Sequence, residues 1–127
     1  TTAAAPADWL RELAACGIDH VIRGSGPRVD LPALLDALGE LGLNEILVEG
    51  GGRLLGSFFD AGLVDRVAAF IAPVIVGGAE ASGPVMGRGI ATMAEAWRLS
   101  DTRLRTLGDD LLLEGTVRAV PSLVEVA

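Results

Sequence analysis

The chain contains no lysine. All ten basic side chains are arginine, against seventeen Asp and Glu, and the net charge is −7. A phosphate backbone selects clustered cations, so no nucleic-acid-binding face is expected. The arginine-only usage, with abundant Ala, Gly, Leu and Val, reads as the coding bias of a G+C-rich genome; no physical cause presents itself. The one cysteine, Cys16, excludes an internal disulfide and suits a reducing compartment. One cysteine and one histidine cannot build a zinc site, and no metal site is expected. No apolar run approaches the ~18 residues of a membrane span. The opening TTAAAPADWLRELAACG also lacks the basic segment and cleavage site of a secretory signal. A cytoplasmic protein with neither nucleic acid nor membrane as partner is expected. The sequence also opens without an initiator methionine, as a segment of a longer chain would, so the expected domain is incomplete.

What is present fits a folded protein. With 127 residues, 50% hydrophobic and 21% charged, residues 1–127 are expected to form a single domain around one sizeable core. A first helix is expected from about Pro6 to Cys16, with Trp9, Leu10, Leu13 and Ala14 as its apolar stripe and Gly17 as its stop. GIDHVIRG then reads as a short strand centred on Val21 and Ile22. Asp30 caps a second helix with Pro32 near its first turn; Leu31, Leu34, Leu35, Leu38 and Leu41 fall at helical spacing, and Gly42 ends it. EILVE is a continuous apolar run, the pattern of a central strand covered on both faces. A third helix carries Leu54, Leu55, Phe58 and Phe59 and closes at Gly62. DRVAAFIAPVIVGG reads as another strand, with Pro73 marking an edge, bulge or strand end. GGAEASGPVMGRGIATM is loop-like, and AWRLSDTRLRTLGDDLLLEGTVRAV reads as a hairpin turning near Gly108 and Asp109. The expected class is α/β with a mixed sheet flanked by helices, parallel strands first and an antiparallel hairpin last.

The segment ILVEGGGRLLGSFFDAGLVDR concentrates the chemistry. A strand end, three glycines and a helix start form an anion site: the first helical N–H groups have no internal partner and carry the positive end of the helix dipole. Glycine removes the Cβ that would hold a phosphate away. Gly50, Gly51 and Gly52 therefore read as a cradle for a phosphate or pyrophosphate, with Arg53 as an extra charge. GGGRLLG is neither the G-x-G-x-x-G fingerprint, since Leu55 replaces its last glycine, nor a P-loop, since no G-K-[ST] follows. A tight strand-to-helix turn holding nothing is the alternative.

Those residues resemble the pyrimidine reductase family of riboflavin biosynthesis, the reductase half of the bifunctional pyrimidine deaminase/reductase, whose fold is dihydrofolate-reductase-like. The resemblance rests on Glu49-Gly50-Gly51, Leu63-Val64-Asp65, Ala72-Pro73, Gly77-Gly78 and Gly108-Asp109-Asp110-Leu111, spaced in order from Thr1 to about Val117. It implies NADPH-dependent reduction of 5-amino-6-(5-phosphoribosylamino)uracil by hydride transfer to ribose C1, and a homodimer. It assigns the cofactor's pyrophosphate to Gly50, Gly51, Gly52 and the N–H groups of Arg53 and Leu54. Glu49 corresponds to a glutamate that reaches the substrate ribose; a carboxylate capping the turn is the competing reading. Thr1 and Thr2 fall near the adenosine part of the cofactor, and Arg23 and Ser25 near a 2′-phosphate, where a planar guanidinium suits two oxygens. A solvated arginine is the plainer alternative. The chain departs from the family in lacking its first strand and loop, which carry much of the substrate and nicotinamide contact, and the deaminase half with its H-x-E and P-C-x-x-C zinc signature.

Two other functions stay open: a related dihydrofolate-reductase-like reductase of another substrate, and a non-catalytic nucleotide-binding or oligomerisation remnant. His20, Cys16, Trp9, Trp97, Asp60 and Asp65 read as structural, with Cys16 a small core residue. The loop holding Met86, with Met93 at its far border, reads as an ordinary surface loop, a mobile lid being the alternative. If Arg23 faces a 2′-phosphate, binding titrations will show tighter affinity for NADPH than NADH, and Arg23→Ala will narrow the gap. Equal affinities in the unmodified protein would remove that role.

Overall fold

In the computed structural model, residues 1–19 and 24–118 are described. The core of the expected GIDHVIRG strand and the tail VPSLVEVA lie outside them. Contacts gather the chain into two units, Thr1–Val48 and Glu49–Ala127. No helix among the described residues is long and apolar enough to cross a membrane.

The first unit holds α1 (Ala7–Ala15) and α2 (Leu31–Glu40). Asp30 caps α2 as its short carboxylate allows: Oδ1 accepts from Ala33 N–H at 3.0 Å, with proline in the first turn. Ala37 is the buried residue of α2, while α1 buries none and leaves Trp9 45% exposed. Cys16, expected in a core, is exposed, because it falls at the C-cap of α1, a helix that buries none of its residues.

The second unit holds α3 (Gly52–Asp60), β1 (Arg66–Ile71), a 3-10 turn at Met93–Glu95, β2 (Arg98–Leu107) and β3 (Asp110–Arg118). The sheet order is β1-β3-β2, antiparallel at both joints. The expected hairpin is β2–β3: Leu107 pairs with Asp110 around Gly108 and Asp109, and Gly108 takes φ +62°. A positive φ at the first central residue and not the second is the II′ pattern, whose twist matches that of the strands. The register shifts between Ser100 and Arg103, where Asp101 takes φ +53°. Gly115 sits opposite; a Cβ there would lie 3.0 Å from Leu99 Cβ.

The α/β class and the hairpin hold, but the parallel pairing expected ahead of the hairpin is not present among the described residues. EILVE forms no ladder, and Leu47 is 79% exposed. Apolar sequence proposes a strand, but only a neighbour's N–H and C=O groups make one. The next strand is shorter than DRVAAFIAPVIVGG suggests. It stops at Ile71, two residues before Pro73, which has no N–H to continue a ladder, and Ile75 beyond it is 98% exposed. Buried hydrophobics among the described residues are Ala37, Phe58 and Leu112, a smaller core than the composition led one to expect.

The three α-helices among the described residues end alike. At Gly17, Gly42 and Gly62 the chain turns left-handed, with φ +71°, +80° and +68°. In each, that glycine's N–H and the next residue's N–H return to the last turn, as in Gly62 N to Phe59 O (3.0 Å) and Leu63 N to Phe58 O (3.0 Å). Gly62→Ala is expected to cost about 1 kcal/mol, since a Cβ disfavours left-handed backbone. Denaturant unfolding of the full chain measures it; an unchanged midpoint would refute the assignment.

Candidate functional site: the glycine turn before α3

Gly51 is the N-cap of α3, in extended backbone (φ −61°, ψ 166°), with no side-chain cap. Its carbonyl is occupied, accepting from Leu54 N–H at 2.9 Å and Leu55 N–H at 3.2 Å. Leu54 N–H is thus turned inward and is not free for a ligand. The N–H groups of Gly52 and Arg53 meet no acceptor among the described residues. Two unpaired donors sit at the positive end of a nine-residue helix, the basic requirement for holding an anion.

The three glycines differ in what fills the space a side chain would take. At Gly51 nothing lies within 4 Å of an added Cβ, so a ligand has room there. At Gly50 that space holds the Leu54 side chain, with Cδ2 2.3 Å away. At Gly52 it holds Gly83 O (2.5 Å) and Met86 Cγ (2.9 Å). Two of the three glycines are therefore explained by approach of the chain's own atoms. Glu49 is exposed and makes no hydrogen bond or ion pair with any described residue, so it does not cap the turn. Arg53 is exposed as well, and its carbonyl accepts from Ser57 Oγ at 2.9 Å.

In the first unit, Ala3 N donates to Gly24 O at 3.0 Å, which brings the chain around Thr2 beside the chain around Ser25. Thr2 is buried, with Oγ1 accepting from Ala4 N at 3.3 Å, and Ser25 is exposed. Arg23 and His20 lie outside the described residues.

Sequence reasoning missed how the Gly-rich loop is fastened to α3. Met86 N donates to Gly52 O at 2.9 Å. One turn on, a Cβ at Gly56 would sit 1.0 Å from Met86 O. A further turn on, Asp60 Oδ2 accepts from Arg88 N at 2.9 Å, and Arg88 Nη2 reaches Asp60 O at 3.2 Å. Asp60, expected to be solvated or capping, is the loop's anchor. The signal was in the sequence: Gly52, Gly56 and Asp60 recur every four residues and so share one helix face. Beside them lies an open cleft of about 330 Å³, lined by Phe59, Asp60, Met86, Ile90 and Trp97 among others. Trp97 tilts against Phe59 at 6.3 Å between ring centroids, the packing role expected of it.

Solved structures share this fold. Two forms of Acinetobacter baumannii RibD align with a TM-score of 0.69 at 24% identity, covering 85% of this chain and 29% of theirs. The fold is thus of the dihydrofolate-reductase type found in RibD. The RibD C-terminal domain family matches residues 1–113, and the chain belongs to that family. A 2,5-diamino-6-ribosylamino-4(3H)-pyrimidinone 5′-phosphate reductase of Methanothermobacter thermautotrophicus is 46% identical over 99 residues, 78% of this chain and 46% of the relative. The riboflavin biosynthesis protein RibD of Actinobacillus pleuropneumoniae is 38% identical over 102 residues, 80% of this chain and 27% of the relative. The chain thus spans about half the length, or less, of these curated relatives.

Proposed function

We propose that residues 1–127 act as one domain of a pyrimidine reductase of riboflavin biosynthesis, contributing the seat of its NADPH cofactor. Family membership and the reductase named at 46% identity support the reaction class. The observation that carries the site is the pair of unpaired amides on Gly52 and Arg53 beside the open Cα of Gly51. These fit a diphosphate: two donors, the helix dipole and no Cβ in the way. The bound nicotinamide would supply the hydride that reduces C1 of the open-chain ribose to the ribityl product.

The chain's own residues position. Gly51, Gly52 and Arg53 hold the diphosphate, with Gly50 and Leu54 shaping the turn behind it. Glu49, exposed and unpaired, is available to a ribose hydroxyl. The family resemblance gives Thr2, Arg23 and Ser25 to the adenosine end of the cofactor. Holding two reactants in one geometry is the protein's largest contribution to such a transfer. A second copy of the chain as partner and a cytoplasmic location complete the proposal.

The substrate is a phosphorylated ribosylamino-pyrimidine, with 5-amino-6-(5-phosphoribosylamino)uracil as first choice. The 2,5-diamino pyrimidinone named for the Methanothermobacter relative is the second, favoured by that relative's higher identity. Rates of NADPH oxidation by the full polypeptide with each substrate decide between them; no oxidation with either would overturn the reductase reading.

Gly51→Asp separates stability from function. Its backbone already has N-cap geometry and room for a side chain, so the carboxylate will cap α3 and add a few tenths of a kcal/mol of stability. The same carboxylate takes the Arg53 amide and repels the diphosphate, so the Kd for NADPH will rise at least about tenfold. Calorimetry of both proteins reads both quantities; unchanged NADPH affinity would remove the cofactor from this turn.

A further inference from the structure

We infer that residues 83–88 are a strap that orients the amide of Arg53, and that Gly56 and Asp60 are positioning residues for the cofactor's anionic bridge. This rests on the seat proposed above and concerns how its donors are aimed.

A peptide unit is planar, so fixing its oxygen fixes its N–H. The unit carrying Gly52 N–H has Gly51 O at its other end, held by Leu54 and Leu55 N–H from within the helix. The unit carrying Arg53 N–H has Gly52 O at its other end, and that oxygen accepts from Met86 N at 2.9 Å. One donor of the pair is therefore aimed by the helix, the other with help from a residue 34 positions away in sequence. Accepting at Gly52 O also polarises the unit and strengthens Arg53 N–H as a donor.

Met86 N reaches Gly52 only because the strap lies directly on the helix. Gly56 permits this by having no Cβ to strike Met86 O, and Gly87 permits it likewise, since a Cβ there would lie 2.7 Å from Asp60 Oδ2. Asp60 then fastens the far end through Arg88 N–H. The strap is thus held at three successive turns of α3, and the first of these contacts touches the ligand-facing peptide.

The test uses the full polypeptide, with NADPH affinity by calorimetry and the Gly52 and Arg53 amides followed by ¹⁵N NMR during the titration. Asp60→Ala is expected to weaken NADPH about three- to tenfold. It should damp the Arg53 amide response more than that of Gly52, and leave the substrate KM unchanged. Asp60→Asn, whose amide oxygen can still accept from Arg88 N–H, should stay within about twofold of the unmodified protein. Gly56→Ala should behave as Asp60→Ala or worse; should it fail to fold, the Asp60 pair carries the test. If Asp60→Ala lowers the melting temperature but leaves NADPH affinity and both amide responses intact, the strap is structural only and the inference falls, while the seat stands. If the unmodified protein binds NADPH without moving either amide, the seat falls and the inference with it.

Discussion

The second unit depends on backbone meeting backbone along one face of α3. Where Gly52 and Gly56 lack a Cβ, the 83–88 segment lies close enough for Met86 O to occupy the position a methyl group would take. Hydrogen bonds at Gly52 and Asp60 close the contact at both ends. Such a contact does not resemble a hydrophobic core. It uses shape and a few directed polar bonds where Phe58 and Leu112 supply the unit's buried apolar residues. Close packing of this kind tolerates added volume poorly, so the glycines here are structural requirements before they are functional ones.

The same contact links architecture to chemistry. A helix terminus offers donors by default, but their usefulness depends on how firmly they are aimed. In α3 the carbonyls behind the free amides are both engaged, so the donors are held before any ligand arrives. Family membership says what such a domain is related to. The amides, the open Gly51 and the unpaired Glu49 mark where the proposed cofactor seat would lie.

Much of the fold was legible because its signals are local. The Asp30 cap, the stops at Gly17, Gly42 and Gly62, the hairpin turn at Gly108-Asp109 and the break at Pro73 each follow from the geometry of one or two residues. The expected parallel pairing, not found among the described residues, rested on EILVE, which states a preference for burial without naming its neighbour. The triple glycine was read as a single device, yet it divides: Gly51 stays open to a ligand, while Gly50 and Gly52 accommodate the chain itself. Asp60 escaped notice because its partner, Arg88, is 28 residues away, and composition carries no information about such pairings.

The irregular step in β2 also has a consequence for which side chains face which way. Asp101 and Thr102 together stand opposite the single residue Gly115, so the in–out alternation of the strand changes phase there. Ser100, Arg103 and Arg105 consequently share a face with Glu114, which Arg105 reaches at 2.9 Å, while Leu99 and Leu104 share the other with Leu113. Pairing both residues of the step one-to-one, with no bulge, would send every later side chain of β2 to the opposite side. Arg103 would then stand opposite Leu113 in place of Glu114. The left-handed aspartate thus works as a phase-shifter that keeps Arg103 opposite Glu114.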